Sequence, residues 1–186
     1  MTNFEKSLTF VFGSEGGYSD HPNDRGGKTN MGITESTLIR AYQAGIVEHK
    51  DIKQLTRQEA AEIYEQLYWL PACCQKMQSP LCTIHFDAAV NHGVGGAVKL
   101  LQQALNAHLD AGLKVDGGIG EQTITALGRV TDIKAFCRCY VDQREAYFKR
   151  IINNNPSQIV FQRGWYARLK KIESMLRGLD VGSKKL

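Results

Sequence analysis

No run of 18 apolar residues occurs in this 186-residue chain, so no segment is expected to span a membrane. No secretory leader is expected either. The apolar stretch near the start covers only residues 8–12, and no small-x-small cleavage site follows it. There is no C-x-x-C pair and no pair of histidines at ligand spacing, which argues against the usual zinc patterns. The five cysteines, Cys73, Cys74, Cys82, Cys137 and Cys139, are odd in number, so at least one stays unpaired. Cys137 and Cys139 are too close in sequence for an ordinary disulfide on one helix. All five are expected to be mainly reduced and buried, as suits folding in a reducing cytoplasm. Tandem repeats and low-complexity linkers are absent. A strong charge of either sign is also lacking. The net charge is +4, spread along the chain except for short clusters at Arg168, Lys170 and Lys171 and at Lys184 and Lys185. That mild excess suits a polyanionic partner and equally suits an ordinary solvated surface. It is too weak to imply nucleic acid.

What is present suffices for one hydrophobic core. Apolar residues make up 42% of the chain, enough to fold without staples, and the length fits a single compact unit of one or two lobes. The periodicity predicts a mainly α protein. A first helix is expected over 3–14, from Phe4, Leu8, Val11 and Phe12, ending at the paired Gly16 and Gly17. Residues 18–30 carry turn and loop chemistry with room for a short hairpin. Helices follow over 34–44 and 56–68. The second has Thr56 as N-cap, Glu59 at the capping-box position, and Ala60, Ile63, Tyr64 and Leu67 on one face. Residues 80–92 are apolar nearly all round, which predicts a buried central helix. Glycines over 93–96 should break it before another helix over 97–109. A glycine-rich turn over 115–120, a short helix over 121–127, a long amphipathic helix over 133–152 and a last helix over 161–176 complete the pattern. The tail from 178 is expected to be loose.

Glu15 lies nine residues before Asp24, and Thr29 follows five further on. Cleavage of a glycosidic bond needs two carboxyl groups flanking it, one protonated and one ionised. Apolar neighbours Val11 and Phe12 and the negative end of the first helix would both raise the pKa of Glu15. Asp24, in a polar loop, suits the ionised role, and Thr29 could hold a water beside it. The spacing alone is not diagnostic, because a surface Glu and a turn-forming Asp read the same way.

The full run is far more specific. Residues 15–18 read Glu-Gly-Gly-Tyr, and residues 22–34 read Pro-Asn-Asp-Arg-Gly-Gly-Lys-Thr-Asn-Met-Gly-Ile-Thr. This ordered, gapless pattern closely resembles the EGGY-type N-acetylmuramidases, glycoside hydrolase family 108. Residues 68–71 (Tyr-Trp-Leu-Pro) and 86–93 (Phe-Asp-Ala-Ala-Val-Asn-His-Gly) are similar to that family as well. Residues 99–105 with 115–120 resemble the predicted peptidoglycan-binding region at the C-terminus of such proteins. The resemblance covers residues 4 to about 170.

It implies a lysozyme-like helical fold with a short loop or hairpin after the first helix. It also implies cleavage of the bond from N-acetylmuramic acid to N-acetylglucosamine. The family's catalytic acid falls on Glu15. The Glu–Asp–Thr order is similar to that of phage-type lysozymes and points to Asp24 and Thr29 as helpers, with Asp20 a rival for the second carboxylate. Tyr18, Asp20 and Asn30 become candidate substrate-binding residues. The catalytic region is expected over 1–92 and the wall-binding region over 93–186, packed as one unit. The resemblance implies peptidoglycan as partner and no metal or organic cofactor. A monomer is expected, with no nucleic acid and no stable membrane insertion. Synthesis would be cytoplasmic, with action in the periplasm or wall after release by another route, in cell lysis or protein secretion. A non-catalytic wall-binding protein and a lytic transglycosylase are the alternatives.

Trp69 could floor a sugar subsite or be a core aromatic at a helix end. Asn91, at the end of an apolar helix, is expected to face a cleft. His85, His92 and His108 are expected to be ordinary surface or hydrogen-bonded histidines. The glycines over 117–120 follow no strand, and Glu121 comes next, so they read as a turn rather than a phosphate loop.

Overall fold

The computed structural model of the protein describes residues 1–13 and 28–182, the last four by backbone alone. It divides into two compact units, Met1–Val94 and Gly95–Leu186.

In the first unit, α1 (Asn3–Phe12) starts at a capping box in which Thr2 and Glu5 bond each other's backbone. It ends at Phe12, with the Gly13 N–H on the Thr9 carbonyl at 3.0 Å, two residues short of the expected end. A small antiparallel hairpin follows: β1 (Thr29–Asn30) pairs with β2 (Ile33–Thr34) through Thr29–Thr34 and Asn30–Ile33. Its turn is Met31–Gly32, both at positive φ (50° and 77°). Two-residue hairpin turns of this hand need that conformation because it matches the twist of the strands. Thr34 then caps α2 (Glu35–Gln43), its hydroxyl accepting from the Thr37 N–H.

The Thr56–Glu59 capping box opens α3 (Arg57–Tyr64) as the sequence predicts. The expected single helix over 56–68 does not run through, however. Its last part, Glu65–Trp69, widens into a π-helical turn. That turn sets Tyr64 and Trp69 into one aromatic cluster. Trp69 meets Phe4 and Phe86 edge-on, each at 5.3 Å between centroids, and Tyr64 meets Phe86 at 6.1 Å. Edge-to-face contacts of this kind add to the area the rings bury.

The core of this unit is the first half of α4 (Leu81–Leu109), where residues 81–89 are all buried. A helix apolar nearly all round is expected inside, and this one is. Ser7 on α1 and Thr83 on α4 satisfy each other inside the core, hydroxyl to hydroxyl at 2.7 Å. The expected break over residues 93–96 reduces to one residue, Gly93, at φ 72° and ψ 160°.

In the second unit, α4 continues to Leu109 and is followed by α5 (Glu121–Gly128), α6 (Ile133–Asn154) and α7 (Gln162–Gly182). A 3-10 turn, Pro156–Phe161, joins the last two helices. Buried Leu101, Leu105, Phe136, Tyr140, Phe148, Leu169 and Ile172 make the core. The Tyr140 hydroxyl donates to the Ala97 carbonyl at 3.0 Å, and Trp165 stacks on Phe148 at 4.8 Å with the planes 8° apart. The tail expected to be loose from 178 is instead helical as far as Gly182, the helix running through Gly178. The fold is mainly α and lysozyme-like, with the hairpin its sole sheet among the described residues. No helix among those residues is long and apolar enough to cross a membrane.

Candidate active site

Glu15, Tyr18, Asp20 and Asp24 lie outside the described residues. The chain on either side of them is described, and one residue holds both ends. Tyr64, 1% exposed, packs edge-on against Phe12 at the end of α1, with centroids 5.6 Å apart. Its hydroxyl donates to the Met31 carbonyl in the hairpin turn at 3.0 Å. The strands on which Thr29 and Asn30 sit are thereby tied to the end of α1. Asn30 adds a second tie, donating from Nδ2 to the Ile52 carbonyl at 3.0 Å. Its amide therefore holds the hairpin in place. Thr29 is half-buried and faces Thr34 across the two strands.

Arg57, at the start of α3, places its guanidinium 5.0 Å from the Phe12 ring centroid. Behind it, the Thr56 hydroxyl and backbone N–H hold the Glu59 carboxyl below its ordinary pKa, and His49 at 3.2 Å acts in the same direction.

Two further candidates, Trp69 and Asn91, lie among the described residues. Trp69 does not floor a subsite. It is 3% exposed and enclosed by Phe4 and Phe86, so the core role is the one it takes. Asn91 is exposed but turns back on its own helix, donating to the Asp87 carbonyl at 2.6 Å. Asp87 itself is fully buried. Of the three histidines, His85 is fully buried, and His92 and His108 are half-buried, His108 against the Phe136 ring at 5.5 Å. The five thiols are free as expected, but Cys73 and Cys139 are only half-buried. Burial pushes the thiols of Cys74, Cys82 and Cys139 above the usual range, and in Cys74 the neighbouring Cys82 and Cys73 add to it.

Sequence reasoning missed Tyr64, Gln102 and Asn106 as positioning residues. Tyr64 read as one more apolar face position. Gln102 and Asn106 carry no assigned role in the sequence reading, yet Gln102 is 2% exposed. Its Nε2 donates to Asp116 Oδ1 at 2.9 Å and to the Gly118 carbonyl at 3.0 Å, while its Oε1 accepts the Gly117 N–H at 3.0 Å. Asn106, one turn on, exchanges both hydrogen bonds with the backbone of Leu113 at 2.7 and 2.8 Å. Two amides on one helix face thus shape the loop before α5. The Gln102 bond, then the Gly118 N–H, hold the Asp116 carboxyl below its ordinary pKa. Gly117 has no substitute there: its φ is +84°, and a Cβ would sit 2.9 Å from the Gly95 carbonyl oxygen. Two adjoining open grooves, of about 450 and 470 Å³, run along this loop and α5, with Lys114, Glu121 and Arg129 on their walls.

The model of the family described as Glycosyl hydrolase 108 matches residues 8–93, and that described as Predicted Peptidoglycan domain matches residues 96–170. Together they define a glycoside hydrolase that acts on peptidoglycan. The solved structure of Brucella abortus SagA resembles the whole chain, with a TM-score of 0.77, 31% identity, and 94% of each chain covered. The chain belongs to the glycosyl hydrolase 108 family. Among curated proteins, none matches it.

Proposed function

We propose that the enzyme is an N-acetylmuramidase that hydrolyses the β-1,4 bond from N-acetylmuramic acid to N-acetylglucosamine, with Glu15 as general acid. The observation that carries this reading is that the family match over residues 8–93 contains the intact Glu-Gly-Gly-Tyr run at 15–18. Glu15 gives its proton to the leaving glycosidic oxygen as the bond to the anomeric carbon breaks. Asp24, helped by Thr29, activates the incoming water or steadies the positive charge at that carbon, and Asp20 is its rival for that role. In this reading Tyr18, Asn30 and Asn91 take part in binding the sugar, a role that rests on the motif rather than on geometry. Residues 1–92 carry the chemistry. Residues 93–186 hold the wall, where Lys114 and Arg129 suit the carboxylates of peptide stems. The work is done in the periplasm or wall, to open it for cell lysis or for protein secretion.

Product analysis tests the reaction class. Purified peptidoglycan is digested with the wild-type protein, and the soluble fragments are reduced and identified by mass spectrometry. Reducing N-acetylmuramic acid ends support hydrolysis. Anhydro ends would assign a lytic transglycosylase, and binding to the wall without release of fragments would assign a non-catalytic wall-binding protein.

A further inference from the structure

We propose that the corner between α6 and α7 is a peripheral docking site for anionic phospholipid surfaces. The 3-10 turn that makes this corner carries three consecutive exposed apolar side chains: Ile159 at 54%, Val160 at 73% and Phe161 at 49%. Apolar residues exposed singly need no explanation, but three together at a turn do. The turn is firmly set. Asn155 caps its start, accepting from the Ser157 hydroxyl at 2.7 Å. Phe161 lies 6.0 Å from Trp165, and Trp165 stacks on buried Phe148, so the tip is braced from the core.

Along the chain on both sides of the turn the charge is of one sign. From residue 146 to residue 172 there is no carboxylate side chain, while Lys149, Arg150, Arg163, Arg168, Lys170 and Lys171 fall within that segment. Arg150 and Arg163 are exposed, and they sit on the last turn or so of α6 and the first turn of α7, on either side of the tip. Lys149 is exposed as well and pairs with Glu145 at 2.8 Å. An apolar wedge flanked by cations meets an anionic bilayer on both counts: the side chains enter the acyl boundary and the cations meet lipid phosphates. Aliphatic tips such as Ile159 and Val160 offer little to a sugar, which stacks on flat rings. The contact is a reversible one at the surface, with no segment crossing the membrane, and it would keep a wall-cleaving enzyme beside the layer next to its substrate.

Cosedimentation with lipid vesicles tests this without reference to hydrolysis. The full chain is mixed with vesicles of phosphatidylglycerol and phosphatidylethanolamine, or of phosphatidylcholine alone, at low and high salt. The expected result is binding to the acidic vesicles, weakened about tenfold or more on phosphatidylcholine and also weakened by salt. Combined Ile159→Ser, Val160→Ser and Phe161→Ser should cost about tenfold or more in binding, and so should Arg150→Glu with Arg163→Glu. Val160→Asp, at the most exposed position, serves if the triple variant does not fold. The proposal is overturned if the wild type stays in solution with acidic vesicles, or if the folded tip variants pellet as well as the wild type. It is equally overturned if the wild type ignores vesicles while the tip substitutions abolish pelleting with peptidoglycan or dissociate a dimer. Those outcomes assign the corner to glycan or to a second copy.

Discussion

The Tyr64 hydroxyl donates to the Met31 carbonyl at 3.0 Å, joining the end of α3 to the turn of the hairpin. Met31 is held at φ 50°, a left-handed conformation that costs a non-glycine residue energy and persists only where the surroundings enforce it. Tyr64 is part of that enforcement, and its ring also touches Phe12 at the end of α1. Removing the hydroxyl alone, by Tyr64→Phe, should cost about 0.5–1.5 kcal/mol of stability. If the hairpin must be held for Thr29 to act, the same change should lower kcat severalfold with little change in KM. A denaturant melt and steady-state kinetics on solubilised glycan strands read the two effects separately.

Gln102 is the hub of the loop before α5. Gln102→Ala would leave the Gly117 N–H and the Gly118 carbonyl without their partner, at a cost of about 1–3 kcal/mol and a melting temperature several degrees lower. Asp116 adds a pH dependence with a definite sign. Its folded pKa lies below its unfolded value, so its contribution is present above the unfolded pKa and is lost as pH falls through the folded one. Melting curves from pH 6 down to pH 3 should show a smaller loss in Gln102→Ala than in the wild type.

Gly93 occupies φ 72° and ψ 160°, a region essentially closed to side-chain-bearing residues. A Cβ there would meet nothing within 4 Å, so any cost of Gly93→Ala is backbone strain alone. The expected loss is about 1–3 kcal/mol, read by chemical denaturation. Gly95→Ala, which also meets no atom within 4 Å and has no positive φ, should be close to neutral by comparison.

The thiols make the opposite pH statement. Cys74 and Cys82 have folded pKa values above their unfolded ones because burial penalises the thiolate. Their contribution is fully present below the unfolded thiol pKa of about 8.5 and declines as pH rises beyond it. Stability should therefore fall from about pH 8.5 upward, and less steeply in Cys74→Ser than in the wild type. With a thiol reagent at neutral pH, Cys74, Cys82 and Cys137 should react only after denaturation, while half-buried Cys73 reacts in the native protein.

Much of this architecture is legible in the sequence where a local rule fixes it. The Thr56–Glu59 box is a local hydrogen-bond pattern, and its helix starts where that pattern predicts. The first half of α4 is apolar nearly all round, and burial is the expected outcome for such a helix. What long-range packing decides was not legible. The π-turn at Glu65–Trp69 serves the meeting of Trp69 with Phe4 and Phe86, which no window of sequence contains. Gln102 and Asn106 carry no assigned role until the loop folds over them. The Met31–Gly32 turn lacks the usual Asn at its first position, so its hairpin signal is weak. Of the candidate site, Glu15, Tyr18, Asp20 and Asp24 rest on the motif, while Thr29 and Asn30 rest on the motif and on a hairpin whose attachments are described.

The most direct test of the account compares the wild type with Glu15→Gln on purified peptidoglycan, following loss of turbidity. Glutamine keeps the size and polarity of the side chain and removes only the proton it would donate. The account predicts that the variant folds, still pellets with the wall and is slower by about 100-fold or more, the lower range for loss of a general acid. A folded Glu15→Gln protein that clears peptidoglycan at the wild-type rate would contradict it.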